Sequence, residues 1–271
     1  MKDKYLTTPY GSLCYWIENG NTKTILFLHG GGGSSSAWNM IRPYLDTTTD
    51  KKIYVDLRGH GKSFRPENWR AYRLEEHANY TLILMNRLHI KKCTIIGHCL
   101  GSMVAATLAA YHPERVERLI LINPGVNRKT PFFNHFTQFA YNILNACVEF
   151  LKIKPIPPPK NRVDYSKFRN SHDFSLSRLW MDLKFIGLRS AVSQTMAFFD
   201  WNYEKIYRKI NVPTCIIGGV HDSIFNRSVT EKIKNFIIGA KLSFVDSNHI
   251  SVVTGSKEVA EKIQSFLGQH L

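Results

Sequence analysis

Through the first 126 residues, short and almost wholly apolar runs alternate with stretches whose apolar positions recur every three or four residues. TKTILFLHG (22–30), KKIYVDLRGHG (51–61), KKCTIIGHCLG (91–101) and VERLILINPG (116–125) read as strands ending in glycine or proline turns. SSSAWNMIRPYL (34–45), LEEHANYTLILMNRLHI (74–90) and the stretch from about Ser102 carry helical spacing. Strand, helix and strand in repeated order predict a parallel sheet with helices on both faces. Its strands lack polar alternation because such a sheet is buried on both sides. The amino-terminal residues alternate polar and apolar through a turn at Pro9 to Gly11, which predicts a hairpin.

After Pro124-Gly125 the rhythm breaks. Thr130-Pro131 offers an N-cap and a first-turn proline, and Phe132, Phe136, Phe139, Ile143 and Phe150 mark one side of a long helix. The proline-rich KPIPPPK (154–160) ends it, and two helices follow over 176–186 and 188–199, parted at Gly187. Strand rhythm resumes with VPTCIIGGVHD (212–222) and AKLSFVDSNHI (240–250), and a helix from Ser256 closes the chain. The expected organisation is therefore one α/β core, residues 1–126 and 211–271, interrupted by a helical cap over 127–210.

Composition narrows the function. A hydrophobic content of 44% over 271 residues suits a globular protein with a sizeable core. Net charge is +15, and residues 127–210 hold 14 Lys/Arg against 6 Asp/Glu, about half of the excess. No basic run tracks phosphates and no zinc-finger or RNP signature is present, so a basic surface is expected and nucleic acid is not. The helical stretches are too polar for a transmembrane span, membrane-surface contact is not expected, and the start lacks the apolar centre of a signal peptide; a cytoplasmic protein is expected. Oligomeric state is not legible. Five cysteines lack any C-x-x-C pair, so neither a metal nor a redox centre is indicated, and four of them are expected to be core thiols.

The fifth is Cys99, in GHCLG (97–101) between an apolar strand and a small-residue helix. Gly-x-Ser-x-Gly at such a junction is a nucleophile elbow, a turn tight enough to expose its central side chain. Covalent acyl transfer also needs a base, an acid that orients it, and N–H donors for the oxyanion. In doubly wound hydrolases these come in the order nucleophile, acid, histidine. Asp222 follows the strand CIIGG and His249 follows LSFVDS, completing that order, with His221 and Asp246 as the next pair to consider. After LILINP the chain offers Asn123 and no carboxylate. The glycines of HGGGGSSSAW fit neither a dinucleotide fingerprint nor a phosphate loop, and GHGKS lacks the first glycine of the latter.

These motifs together, LHGGGGSSSAW (28–38), DLRGHGKS (56–63), GHCLGS (97–102), HPERVERLILINP (112–124), GGVHD (218–222) and SNH (247–249), resemble the capped branch of the α/β-hydrolase superfamily, with Cys where Ser is usual. The resemblance implies a mostly parallel twisted sheet, a Cys99–His249–Asp222 triad without metal or organic cofactor, and an oxyanion hole from the N–H groups of Gly31 and Leu100. It implies loop-shaping hydrogen bonds for His29 and His60 and leaves His98 as the variable elbow residue. Three accounts of the sulfur follow: a native cysteine enzyme, a serine enzyme altered so that acyl intermediates are trapped, or a fold that has lost catalysis and binds a small ligand. The leading expectation is hydrolysis of a carboxylic ester of an apolar acyl substrate, with Phe132, Phe136 and Phe139 as candidate substrate contacts. A thioesterase or acyltransferase is the alternative, acting on an acyl thioester or passing the acyl group to an acceptor other than water.

Overall fold

Alternation within each strand sends neighbouring side chains to opposite faces of one sheet. The computed structural model describes residues 2–45, 50–127 and 135–268. Its strands are β1 (Lys4–Thr8), β2 (Gly11–Glu18), β3 (Thr24–Leu28), β4 (Lys51–Val55), β5 (Cys93–His98), β6 (Val116–Ile122), β7 (Thr214–Gly219) and β8 (Lys241–Val245). Among the described residues they form a single sheet in the order β1-β2-β4-β3-β5-β6-β7-β8. β1 with β2 is antiparallel, as the hairpin pattern predicts, β2 with β4 is antiparallel as well, and all other neighbours are parallel.

Helices α1 (Leu74–Arg87) and α2 (Leu100–Tyr111) come before the long segment between β6 and β7. That segment holds α3 (His135–Phe150), α4 (Leu176–Ile186), α5 (Leu188–Phe199) and α6 (Tyr203–Arg208), and α7 (Arg227–Phe236), α8 (Ser251–Thr254) and α9 (Ser256–Leu267) follow. On one face Leu26, Leu28, Ile95, Leu119 and Ile216 pack with residues of α1, α2, α6 and α7; on the other Phe27, Ile96, Ile120 and Ile217 pack with Trp38 and residues of α8 and α9. α2 is buried from Leu100 through Ala109, as a helix apolar on every side must be.

The strand and helix expectations hold, including the break at Gly187, whose φ of +78° suits glycine. Three details differ. Residues 34–45 form two 3₁₀ turns, Ser35–Met40 and Arg42–Tyr44, because Pro43 has no N–H to continue an α-helical ladder. Cys147, expected in a core, is exposed on α3. α6 falls inside the expected insertion yet packs on the core, with Tyr207 Oη donating to the Gly125 carbonyl at 2.9 Å. The N-cap expected at Thr130-Pro131 lies outside the described residues. No helix among them is long and apolar enough to cross a membrane.

Candidate active site

In open α/β sheets, loops at the carboxyl ends of the strands converge on one crevice. Cys99 follows β5, Asp222 follows β7 and His249 follows β8, so the topology brings together three residues spread over 151 positions. Cys99 takes φ 47° and ψ −113°, a strained conformation for a side chain larger than glycine's, and caps α2. Its N–H donates to the Ile122 carbonyl at 2.9 Å, while its carbonyl accepts from Ser102 and Met103 N–H. Both elbow glycines are required by contact. A Cβ on Gly97 would stand 2.3 Å from the Gly101 carbonyl oxygen, and one on Gly101 would stand 2.0 Å from that of Leu28. The turn is this tight because α2 leaves β5 directly against β3.

His249 is buried and its Nδ1 donates to Asp222 Oδ2 at 2.8 Å. The other Asp222 oxygen accepts the N–H groups of Ile224 and Phe225 at 2.9 and 2.8 Å, which fixes the carboxylate. On its other side His249 meets the Cys99 thiol. Burial opposes charge on this imidazole, but the neighbouring Cys99 sulfur and Asp222 carboxylate outweigh it and push its pKa up to about 10. For Asp222, burial acts upward and the His249 charge with its hydrogen bonds prevails, holding the carboxyl below the usual range.

Gly31 and Leu100 lie side by side: a Cβ added to Gly31 would be 3.8 Å from the Leu100 Cβ, and one on Gly30 would be 3.4 Å from the Cys99 Cβ. The Leu100 N–H belongs to the first turn of α2, whose donors have no intrahelical partner. His29 accepts the Leu57 N–H at 2.9 Å through Nε2, and His60 Nδ1 lies 3.0 Å from the Arg58 carbonyl, so both shape loops as expected.

The roles of three further residues escaped the sequence reading. His98 Nε2 donates to the His249 carbonyl at 2.8 Å, and burial with the His249 charge pushes its pKa down to about 3, so it is a neutral strut. Asn123 Nδ2 donates to Asp222 Oδ2 at 2.9 Å, and its Oδ1 accepts from Ser251 Oγ. Asp173, from the segment between β6 and β7, accepts the His249 N–H at 2.8 Å through Oδ1, and through Oδ2 the Ser223 N–H and Oγ at 2.9 and 2.6 Å. One buried carboxylate thus ties the loop of the acid to the loop of the histidine. The elbow position of His98 and the place of Asn123 after LILINP carried a sequence signal, though not for these contacts, and Asp173 carried none. His221 and Asp246 do pair at 2.8 Å, but on the surface, with side chains 67% and 78% exposed.

Cys99 and His249 line a cavity of about 400 Å³. Its walls are mainly apolar, from Met103, Ile224 and Phe225 of the core and Leu179, Leu183 and Phe198 of α4 and α5. The expected aromatic contacts are not among these residues. Phe136 and Phe139 are 78% and 62% exposed on the outer side of α3, and Phe132 lies outside the described residues. Helical spacing predicted the stripe but could not tell which side the neighbours cover: Val148 is buried and Tyr141 packs against Phe199, with ring centroids 6.1 Å apart. Arg162 pins this segment to the core by bridging Asp56 at 3.1 and 3.0 Å and Asp3 at 2.6 Å. At the cavity wall Asp182 pairs with Arg178 at 2.7 Å, yet burial pushes its pKa up to about 7. No group of residues suited to hold a metal occurs among the described residues.

Known proteins agree with this architecture. The chain is 24% identical over 265 residues to strigolactone esterase RMS3 of Pisum sativum, covering 93% of this chain and 96% of that one. It is 36% identical over 122 residues to the sn-1-specific diacylglycerol lipase ABHD11 of Danio rerio, covering 44% of this chain and 38% of that one. The crystal structure of the enol-lactonase from Burkholderia xenovorans LB400 superposes with a TM-score of 0.77 at 22% identity, covering 98% of this chain and all of that one. The pattern of the alpha/beta hydrolase fold family matches residues 23–256. With that match over most of its length, and with a sheet whose loops converge as described, the chain belongs to the α/β-hydrolase fold family.

Proposed function

We propose that this protein is a carboxylic-ester hydrolase of largely apolar acyl substrates, working through Cys99, His249 and Asp222, with the helices of residues 127–210 as a cap over the site. What supports the reading is the alignment of thiol, imidazole and carboxylate at the wall of one apolar cavity. In the thiolate–imidazolium state the sulfur attacks the ester carbonyl carbon, forming a C–S bond as the carbonyl electron pair moves onto oxygen. The N–H groups of Gly31 and Leu100 stabilise that oxyanion. Collapse breaks the C–O bond, and the His249 proton goes to the leaving alcohol. Water then attacks the thioester with His249 as base, releasing the carboxylic acid and restoring the thiol. Asp222 holds the imidazole tautomer throughout.

An ester and thioester panel, with mass spectrometry for the acyl adduct on Cys99, tests this. The expected result is an adduct and turnover in the parent, with Cys99→Ser slower by about 100-fold, because a pocket fitted to sulfur misplaces oxygen. A gain of turnover in Cys99→Ser would mean a silenced serine site. If neither protein forms an adduct while a small ligand raises Tm, the chain is a receptor and the proposal fails.

A further inference from the structure

An amphipathic helix normally turns its apolar side to the core, yet α4 leaves apolar residues in water. Leu176, Leu179, Trp180 and Leu183 recur at the spacing of one helix side and are 82%, 41%, 70% and 37% exposed. Single exposed apolar residues are ordinary, but four along one side form a patch. Leu179 and Leu183 also line the cavity that holds Cys99, whereas Leu176 and Trp180 do not. The stripe therefore runs from the outer surface of α4 to the cavity. The charges of α4 fit the same picture. Its one carboxylate, Asp182, pairs with Arg178 on the other side of the helix, and Lys184, one turn after Trp180, is exposed. The surrounding segment, residues 127–210, holds 14 Lys/Arg against 6 Asp/Glu in a chain of net charge +15.

We propose that the exposed stripe of α4 docks on the surface of a bilayer containing anionic phospholipid, and that an apolar ester passes from the bilayer along Leu179 and Leu183 into the cavity. Such a surface meets each feature of the patch. The leucines enter the acyl boundary, the amphipathic indole of Trp180 sits at the headgroup level, and Lys184 reaches the phosphates while its stem stays on apolar ground. The basic surplus adds attraction to anionic headgroups. A second copy of the chain is the poorer occupant, because it would set two basic surfaces against each other. Composition gave no reason to expect membrane contact; the exposure of one side of α4 does. The docking stands on this surface alone, and the passage of an ester rests on the proposed hydrolase reading.

Flotation of the full-length chain with vesicles of phosphatidylcholine, alone or mixed with phosphatidylglycerol, tests the docking. The mixed vesicles should bind at least about tenfold more tightly, since each basic residue near an anionic surface adds to the affinity. Leu176→Ser with Trp180→Ser should weaken that binding by about tenfold or more, while Tm and the turnover of soluble short-chain esters stay at parental values, because neither residue lines the cavity. Trp180→Phe should keep the binding but remove most of the fluorescence quenching by brominated lipid. Absence of binding, equal binding to both kinds of vesicle, parental binding by the double variant, or quenching that survives Trp180→Phe would each overturn the docking. A dimer in sedimentation velocity that the double variant dissolves would assign the stripe to a second copy and overturn it too. Vesicle binding is read without turnover. Binding by a chain that turns over no ester and forms no adduct would remove the hydrolase reading and leave the docking. Turnover of soluble esters by a chain that ignores vesicles would do the reverse.

Discussion

Replacing Asp173 should loosen His249 without altering the Cys99, Asp222 or His249 side chains themselves. The carboxylate is buried and accepts three hydrogen bonds, one from the His249 N–H and two from Ser223. Asp173→Asn keeps the shape but turns one oxygen into an NH₂ that cannot accept. Ser223 Oγ can rotate to accept from the new amide, yet one backbone N–H, of Ser223 or of His249, is then left buried and unpaired. An orphaned donor of that kind costs about 1–3 kcal/mol. For a chain of this size that lowers Tm by roughly 2–4 °C per kcal/mol, so by about 4–8 °C at the middle of the range. Asp173→Ala removes both acceptors and should cost more. In turnover the loss should fall on kcat, since Asp173 is not among the cavity-lining residues, and a His249 shift near 1 Å is worth about 100-fold. The pH dependence of Cys99 alkylation should shift as well, because the imidazole beside the thiol has moved. An Asp173→Ala protein with parental Tm, kcat and alkylation profile would refute the argument.

The His249 pKa is raised from about 6.5 to about 10, so its contribution to stability is complete below pH 6.5 and is lost as pH rises towards 10. Urea midpoints of the parent should fall between pH 7 and 10 relative to those of His249→Ala; parallel curves would contradict the assigned environment. Brief iodoacetamide treatment with peptide mapping should label Cys99 and the exposed Cys147, and spare Cys14, Cys93 and Cys215, whose thiols burial pushes up to about 12, 12 and 11. Gly101→Ala puts a methyl 2.0 Å from the Leu28 carbonyl oxygen and should cost about 3 kcal/mol or more, whereas Gly31→Ala, whose methyl would meet the Leu100 Cβ at an ordinary contact distance of 3.8 Å, should leave Tm within about 2 °C. Circular dichroism melting separates the two, and equal Tm values would contradict the packing of α2 on β3.

The strands, α1, α2, α4, α5, α9 and the positions of Cys99, Asp222 and His249 were all legible in the sequence, because each depends on a local rule. Burial on both faces makes a strand uniformly apolar, a glycine after it permits the turn, and the order of the three residues follows the strand order. What the sequence could not supply is whatever depends on how distant segments meet. Asp173 and His249 are 76 residues apart, and nothing near Asp173 marks it as the acceptor that joins the loops of Asp222 and His249. Leu176 and Trp180 sit on a helix whose periodicity does not tell which side is covered. The aromatic stripe of α3 shows the limit most directly. Its spacing establishes an amphipathic helix, but Phe136 and Phe139 face outward because the neighbour, α5, meets the side bearing Tyr141 and Val148. Local propensity and periodicity act over a few residues; which face is covered is set by the packing energy of the whole assembly, and only the tertiary structure holds that information.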